Sequence, residues 1–302
     1  MKRIGMCRVD GRSYWFGGYF GAFDRRLMIE HAGAARADRF DETLGGRVPL
    51  AGARLVSVYD DDRAAAEAFG ATFDVPVAAT LEEFAEGMDG VIVPFPAGGD
   101  ARDYRAVAPL VERGIPLFLD RIILEQADVL RGLLAEGQDR GVPLHVTCFM
   151  RYLDECLRPA DDAGAPVRWV TATASGDPVG YGADLLDLID ALMGCRPVSV
   201  INVGDDGGDV LRIGYERGRH AILQLIRDTH VPMVVAAGGA DWHRSVELDG
   251  SQFHRGAMRQ FEAFVRAMDT REPPVAADRI LTHANLLRFA ESRRIGVVHS
   301  LS

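Results

Sequence analysis

Ala53-Arg54-Leu55-Val56-Ser57-Val58-Tyr59-Asp60-Asp61-Asp62 reads as a strand that runs straight into the start of a helix. Residues 53–59 are rich in β-branched, apolar and aromatic side chains, and the three aspartates supply acceptors for the first amides of a helix reaching about Gly70. The same unit recurs on either side. Upstream, Arg3 to Val9 is a short apolar strand. Downstream, Val75 to Val77 is a short strand, and Thr80 with Glu83 forms a capping-box pattern. Gly90 to Val93 is a strand of the fully buried type, stopped by Pro94-Phe95-Pro96. A helix from about Asp100 to Arg113, a strand over Ile115–Leu119, a helix over Leu124–Arg140 and a strand over Pro143–Cys148 complete the series. Strands alternating with helices predict a parallel sheet covered on both faces, with right-handed crossovers. The first crossover is the irregular one. Asp10 to Ser13 reads as a loop, an aromatic and glycine-rich stretch runs to Phe23, and residues 24–50 read as a partly helical insertion.

After Phe149 the rhythm changes. Val167–Ala174, Val198–Val203, Val210–Tyr215, His220–Ile226, Met233–Ala237 and Trp242–Leu248 are strand candidates separated by turn signals, with Glu216-Arg217-Gly218-Arg219 as a hairpin turn. Helices are expected over Tyr181–Met193, Gly256–Met268 and Ala276–Arg293. The fold class is therefore α/β: a Rossmann-type domain over residues 1–148, then an α+β domain with an open, mainly antiparallel sheet over residues 149–302.

The 302 residues are 48% hydrophobic and 26% charged, the balance of a globular chain. A net charge of -10 argues against a broad nucleic-acid surface, and no apolar run approaches the roughly 20 residues that span a bilayer. Cys7, Cys148, Cys156 and Cys195 form no CxxC pair and read as reduced thiols of a cytoplasmic protein. No metal-ligand spacing is present. Of the 34 basic residues only Lys2 is lysine, so almost every cation here is an arginine, which holds its proton at any working pH.

Ligands of an open parallel sheet bind beyond the carboxyl ends of its strands. That singles out Asp10 to Ser13, Asp60, Pro94 to Pro96 and Asp120-Arg121. Asp60, at the end of the second strand, can accept hydrogen bonds from an adenosine ribose or can simply cap a helix. A carboxylate there repels a 2′-phosphate and favours NAD over NADP, against which Arg63 lies close by. The usual GxGxxG loop is replaced by Gly11-Arg12-Ser13-Tyr14-Trp15-Phe16-Gly17-Gly18. In one reading Gly11 makes the turn while Arg12 and Ser13 hold phosphate through their side chains; in the other the loop binds no phosphate.

Several segments in order carry a resemblance: Leu55–Asp60, Val91–Pro96, Gly114–Arg121, Cys148–Tyr152, Gly182–Leu188 and Leu192-Met193-Gly194. Together, over nearly the whole chain, they resemble the Gfo/Idh/MocA family of NAD(P)-dependent oxidoreductases. The resemblance implies a Rossmann domain, a C-terminal open sheet through which homo-oligomers form, and hydride transfer between nicotinamide and a sugar, cyclitol or related polyol. The chain departs from the family where the chemistry lies. The family's Glu-Lys-Pro is Asp120-Arg121-Ile122 here; its catalytic histidine matches Asp184, and the aspartate four residues earlier matches Gly180. Asp187 keeps the family's pattern.

Three functions remain open on the sequence. The first is a redox enzyme with a rewired site, in which Asp184 is the acid/base, Asp187 shares its helix face and raises a pKa by repulsion, Tyr181 or Tyr152 donates a proton, and Arg121 orients the substrate. Against it, acids early in a helix are often there for the dipole, and Tyr152 for packing. The second is a lyase or isomerase with Asp184 as base. The third is a non-catalytic binding protein. Cys148 reads as a structural thiol, His230, His243 and His254 are too widely spaced for a local metal motif, and Trp15, Phe16, Tyr19 and Phe20 read as core or oligomer contact.

Overall fold

The structure is a computed structural model and describes residues 1–35, 37, 38, 40, 50–94, 104–120, 122, 127–292 and 295–301. The chain forms two compact units. The first comprises Met1–Val146 together with Phe261–Ala277, and the second Thr147–Gln260 together with Asp278–Ser302.

In the first unit β1 (Lys2–Cys7) leads into α1 (Gly11–Phe20) and α2 (Arg25–Ala32). Then follow β2 (Ala53–Tyr59), α3 (Arg63–Phe73), α4 (Leu81–Ala85), β3 (Gly90–Val93), α5 (Tyr104–Glu112), β4 (Leu117–Leu119), α6 (Ala127–Arg140) and β5 (Leu144–His145). The five strands are all parallel, in the order β2-β1-β3-β4-β5. Every residue of β3 and β4 is buried, as in a sheet covered on both faces. The order reverses at β1, from which β2 lies on one side and β3 on the other, and that crevice at the strand ends is where such sheets bind ligands.

Part of the first crossover differs from the sequence expectation. The segment after Asp10 is helix, not loop: Asp10 caps it, and its aromatic side chains bury one face. Phe16, Tyr19 and Phe20 are at most 2% exposed, and Tyr19 and Phe20 lie 5.2 and 4.9 Å from the ring of Phe261. Burial of an aromatic side chain of this kind stabilises by about 1.5–3 kcal/mol, which outweighs the poor helix propensity of Gly17 and Gly18. Those two glycines are there for close approach. A Cβ on Gly17 would stand 2.6 Å from the Phe73 ring, and one on Gly18 2.5 Å from Phe40.

The second unit opens with a 3-10 turn over Phe149–Tyr152 and α7 (Asp154–Ala163), a helix the sequence pattern did not reveal. Next come β6 (Trp169–Ser175), a π turn over Pro178–Gly182 and α8 (Ala183–Met193). The sheet continues with β7 (Pro197–Asn202), β8 (Gly208–Tyr215), β9 (His220–Ile226), β10 (Met233–Gly238) and β11 (His243–Leu248). The chain ends in α9 (Gly250–Thr270), α10 (Ala277–Glu291) and a short β12 (Val298–Ser300), also unforeseen. The sheet order is β11-β10-β6-β9-β8-β7-β12; β6 pairs with β9 in parallel and the other neighbours are antiparallel. Exposure alternates strictly along β6, so that one face carries the buried side chains. No helix among the described residues is long and apolar enough to cross a membrane.

Candidate functional site

In the first unit, the six residues that follow β1 occupy the place of a dinucleotide fingerprint: Arg8-Val9-Asp10-Gly11-Arg12-Ser13. The left-handed turn is made by Arg8, with φ of 78°, and not by Gly11, which is the first residue of α1. This conformation costs a non-glycine residue about 1–2 kcal/mol. Asp10 then caps α1. Its Oδ1 accepts hydrogen bonds from the backbone N–H of Arg12 (2.7 Å) and Ser13 (3.0 Å), and its own N–H donates to the Ser13 hydroxyl (2.8 Å). Ser13 is fully buried in this box, which removes it from the phosphate-holding role that the sequence left open. Arg12 projects its guanidinium to Asp120, with Nη1 2.6 Å from Oδ2.

Asp60 stands directly after β2 and is 5% exposed. Oδ2 accepts from the N–H of Val9 (2.6 Å) and Oδ1 from that of Asp62 (2.9 Å). It therefore ties the β2 end to the β1–α1 turn, while the cap of α3 is Asp62, which accepts from Ala64 and Ala65. Pro94 is buried at the end of β3. Phe95, Pro96 and Arg121 lie outside the described residues. At the end of β1, burial pushes the Cys7 thiol up to about 12, with Arg8 opposing and Asp60 and Asp61 adding to the shift.

In the second unit, Asp184 and Asp187 share a face of α8, and both meet Cys148. The Asp187 Oδ2 accepts from the Cys148 N–H at 2.6 Å. The Cys148 thiol hydrogen-bonds to Asp184, and desolvation together with that carboxylate pushes the thiol well above its ordinary value, which disfavours the nucleophilic thiolate. Asp187 does not serve as a repelling twin of Asp184. It is buried and bound to Arg151, with Oδ1 2.9 Å from Nη1, and its pKa is raised by burial against the opposing effects of Arg151, His283 and the Cys148 amide. Arg151 also reaches Asp190 Oδ2 at 2.8 Å, and Arg279 grips the other Asp190 oxygen. Burial would raise the Asp190 pKa, but His283 and Arg151 overcome it and hold the carboxyl well below the usual range. Sequence reasoning does not single out Asp190, Arg279 or His283; the signal for Asp190 is its spacing, three residues after Asp187 on the same helix face.

Asp187, Asp190 and His283 bring three potential metal-ligand atoms within 4.8 Å of one another. The guanidinium groups of Arg151 and Arg279 already bind those carboxylates. That arrangement is a salt-bridged network, with arginines supplying the charge that a metal would bring. Tyr181 sits in the π turn, 46% exposed, beside Gly180, whose N–H donates to Asp177 at 2.7 Å. Tyr152 ends the 3-10 turn that packs against α8, next to Arg151. It lines a groove of about 870 Å³ with Arg158, Arg244, Arg255 and Arg259, and neither Asp184 nor Tyr181 borders that groove.

No protein-family profile matches the chain, and no curated protein matches its sequence. Solved structures do match, over essentially the full length of both partners. GenD2 from gentamicin A biosynthesis, in complex with NAD, superposes with a TM-score of 0.72 at 14% identity, covering 100% of this chain and 97% of that one. Scyllo-inositol dehydrogenase from Lactobacillus casei, with bound NAD(H) and scyllo-inositol, gives 0.70 at 12% identity, covering 99% of each. An oxidoreductase from Agrobacterium radiobacter in complex with NAD+, L-tartaric acid and magnesium gives 0.74 at 10% identity, covering 99% and 98%. With its parallel N-terminal sheet and its mixed C-terminal sheet, the chain has the Gfo/Idh/MocA-type oxidoreductase fold.

Proposed function

We propose that the chain is an NAD-dependent oxidoreductase acting on a small polar, hydroxylated substrate such as a sugar or cyclitol. The observation that carries this reading is the buried Asp60 carboxylate at the end of β2, beside the point where the sheet order reverses. In a parallel sheet that is the position from which an acid holds an adenosine ribose. The end-to-end likeness to structures that hold NAD supports it. Asp60 would hold the ribose, Arg12 the pyrophosphate through its side chain, and the carboxylate at residue 60 disfavours NADP.

When bound, NAD supplies a hydride acceptor or donor. The chain's own part is the proton. Asp184 is the acid/base, and the Cys148 thiol that hydrogen-bonds to it keeps its carboxylate oriented. Asp187 acts on the same group indirectly, by fixing the Cys148 backbone. Arg121 would orient the substrate, and Tyr181, being exposed at the start of α8, is the partner that could complete a proton path. We further propose that the protein works in the cytoplasm as a homo-oligomer through the second unit's sheet. Val198, Val203 and Val298, exposed by 42, 55 and 67%, are apolar surface that such a contact would bury.

Calorimetric titration of NAD and NADP into nucleotide-stripped protein tests the reading. NAD is expected to bind and NADP to bind more weakly; no binding of either at millimolar concentration refutes it. A panel of polyols followed by absorbance at 340 nm then separates redox from lyase chemistry.

A further inference from the structure

In a dinucleotide fold the pyrophosphate lies on the exposed amides at the start of the first helix, and glycines keep that approach open. Here the amides of Arg12 and Ser13 already bind a carboxylate of the chain itself, that of Asp10. The charge is of the same sign as pyrophosphate and sits where the helix dipole is most favourable to anions. Two of the three fingerprint glycines would fall on Arg8 and Asp10, and the third on Ser13, whose hydroxyl closes the box from the other side. Meanwhile the guanidinium of Arg12 extends from the same turn to Asp120, and that of Arg8 to Asp61.

We propose that Asp10 is an internal anion that sets the nucleotide affinity of this chain: it holds the helix amides in place of the pyrophosphate, which is left to the guanidinium side chains. The inference rests on the reading that the first unit binds NAD. It follows that affinity is limited by a carboxylate repelling the ligand's phosphates, so neutralising residue 10 tightens binding of phosphate-bearing ligands alone.

The test uses Asp10→Asn, which keeps size and cap, and Asp10→Ser, a good cap without charge. NAD, ADP and adenosine are titrated calorimetrically into wild type and both variants at one ionic strength. NAD and ADP are expected to tighten by about tenfold or more in both variants, while adenosine stays within about twofold, because a close like charge acts only on the phosphates. In addition, Arg12→Gln in the wild-type background is expected to weaken NAD by about tenfold. Unchanged or weaker NAD binding in both Asp10 variants overturns the inference, whether or not wild type binds NAD. Wild-type binding of NAD reports on the parent reading separately: no wild-type binding with a gain in the variants removes that reading as stated and keeps the inference.

Discussion

Replacing Arg151 by methionine removes a guanidinium shared by two buried acids, which His283 also faces. Arg151 Nη1 lies 2.9 Å from Asp187 Oδ1 and 2.8 Å from Asp190 Oδ2, and the three side chains are 18, 6 and 2% exposed. At that burial the pairs are not screened by solvent. Breaking a buried pair by removing one partner typically costs about 3–5 kcal/mol, because the other charge stays desolvated. Asp190 retains Arg279, so the lower end of that range is expected, carried mainly by Asp187. With about 3 °C of melting temperature per kcal/mol for a unit of this size, the loss is about 10 °C. Calorimetric melts at neutral pH measure it. The pH dependence carries a second signature. The pKa of Asp187 is already raised, and removing Arg151 removes its largest depressor. A carboxyl whose folded pKa lies above its unfolded value contributes stability below the unfolded pKa and loses it as pH rises through the folded one. The variant should therefore regain stability as pH falls from neutral towards 4, and adding Asp187→Asn should restore most of the loss at neutral pH. A loss below about 1 kcal/mol, the size of an exposed pair, or no rescue by Asp187→Asn, would refute the reasoning.

Asp184→Asn is expected to lower kcat by about 10²–10⁴ with NAD affinity unchanged; steady-state kinetics showing retained kcat removes Asp184 from the reaction. Asp60→Ala should weaken NAD by about tenfold or more through loss of one or two charge-assisted hydrogen bonds, measured by the same titration; it also unties Val9 and Asp62, so a lower melting temperature without lost affinity would make Asp60 purely structural. The Asp190 pKa is lowered, so its contribution is present above the unfolded value of 3.8 and is lost as pH falls through the folded one. Acid titration of Asp190→Asn should then show a shallower loss of stability below pH 4 than wild type, and identical curves would count against the Asp190 network. With its thiol pushed up to about 12, Cys7 should resist alkylation in the native protein at pH 8 and react only on unfolding, and rapid native labelling seen by mass spectrometry would contradict its burial.

Pattern alone determined the alternation of strands and helices in the first unit and the strand series in the second. β2 over Ala53–Tyr59 and β9 over His220–Ile226 lie where their apolar and β-branched runs put them, because such strands are specified by a few neighbouring residues. Pattern also placed Asp60 at a strand end and Asp184 and Asp187 on one helix face. What it could not decide was anything set by partners distant in the chain. The glycine-rich Gly11–Phe20 segment is a helix because Phe73, Phe40 and Phe261 close over it. The last part of α9 joins the first unit, a choice that amphipathic periodicity does not encode since either sheet would satisfy it. Asp187 became a structural carboxyl because Arg151, 36 residues earlier, reaches it in a buried site. Asp10 became a cap for the same kind of reason: the amides it meets exist only once α1 has formed. Local propensity draws on interactions a few residues apart, while desolvation and long-range pairing, which set the charge state and role of each acid, arise only when the chain has folded.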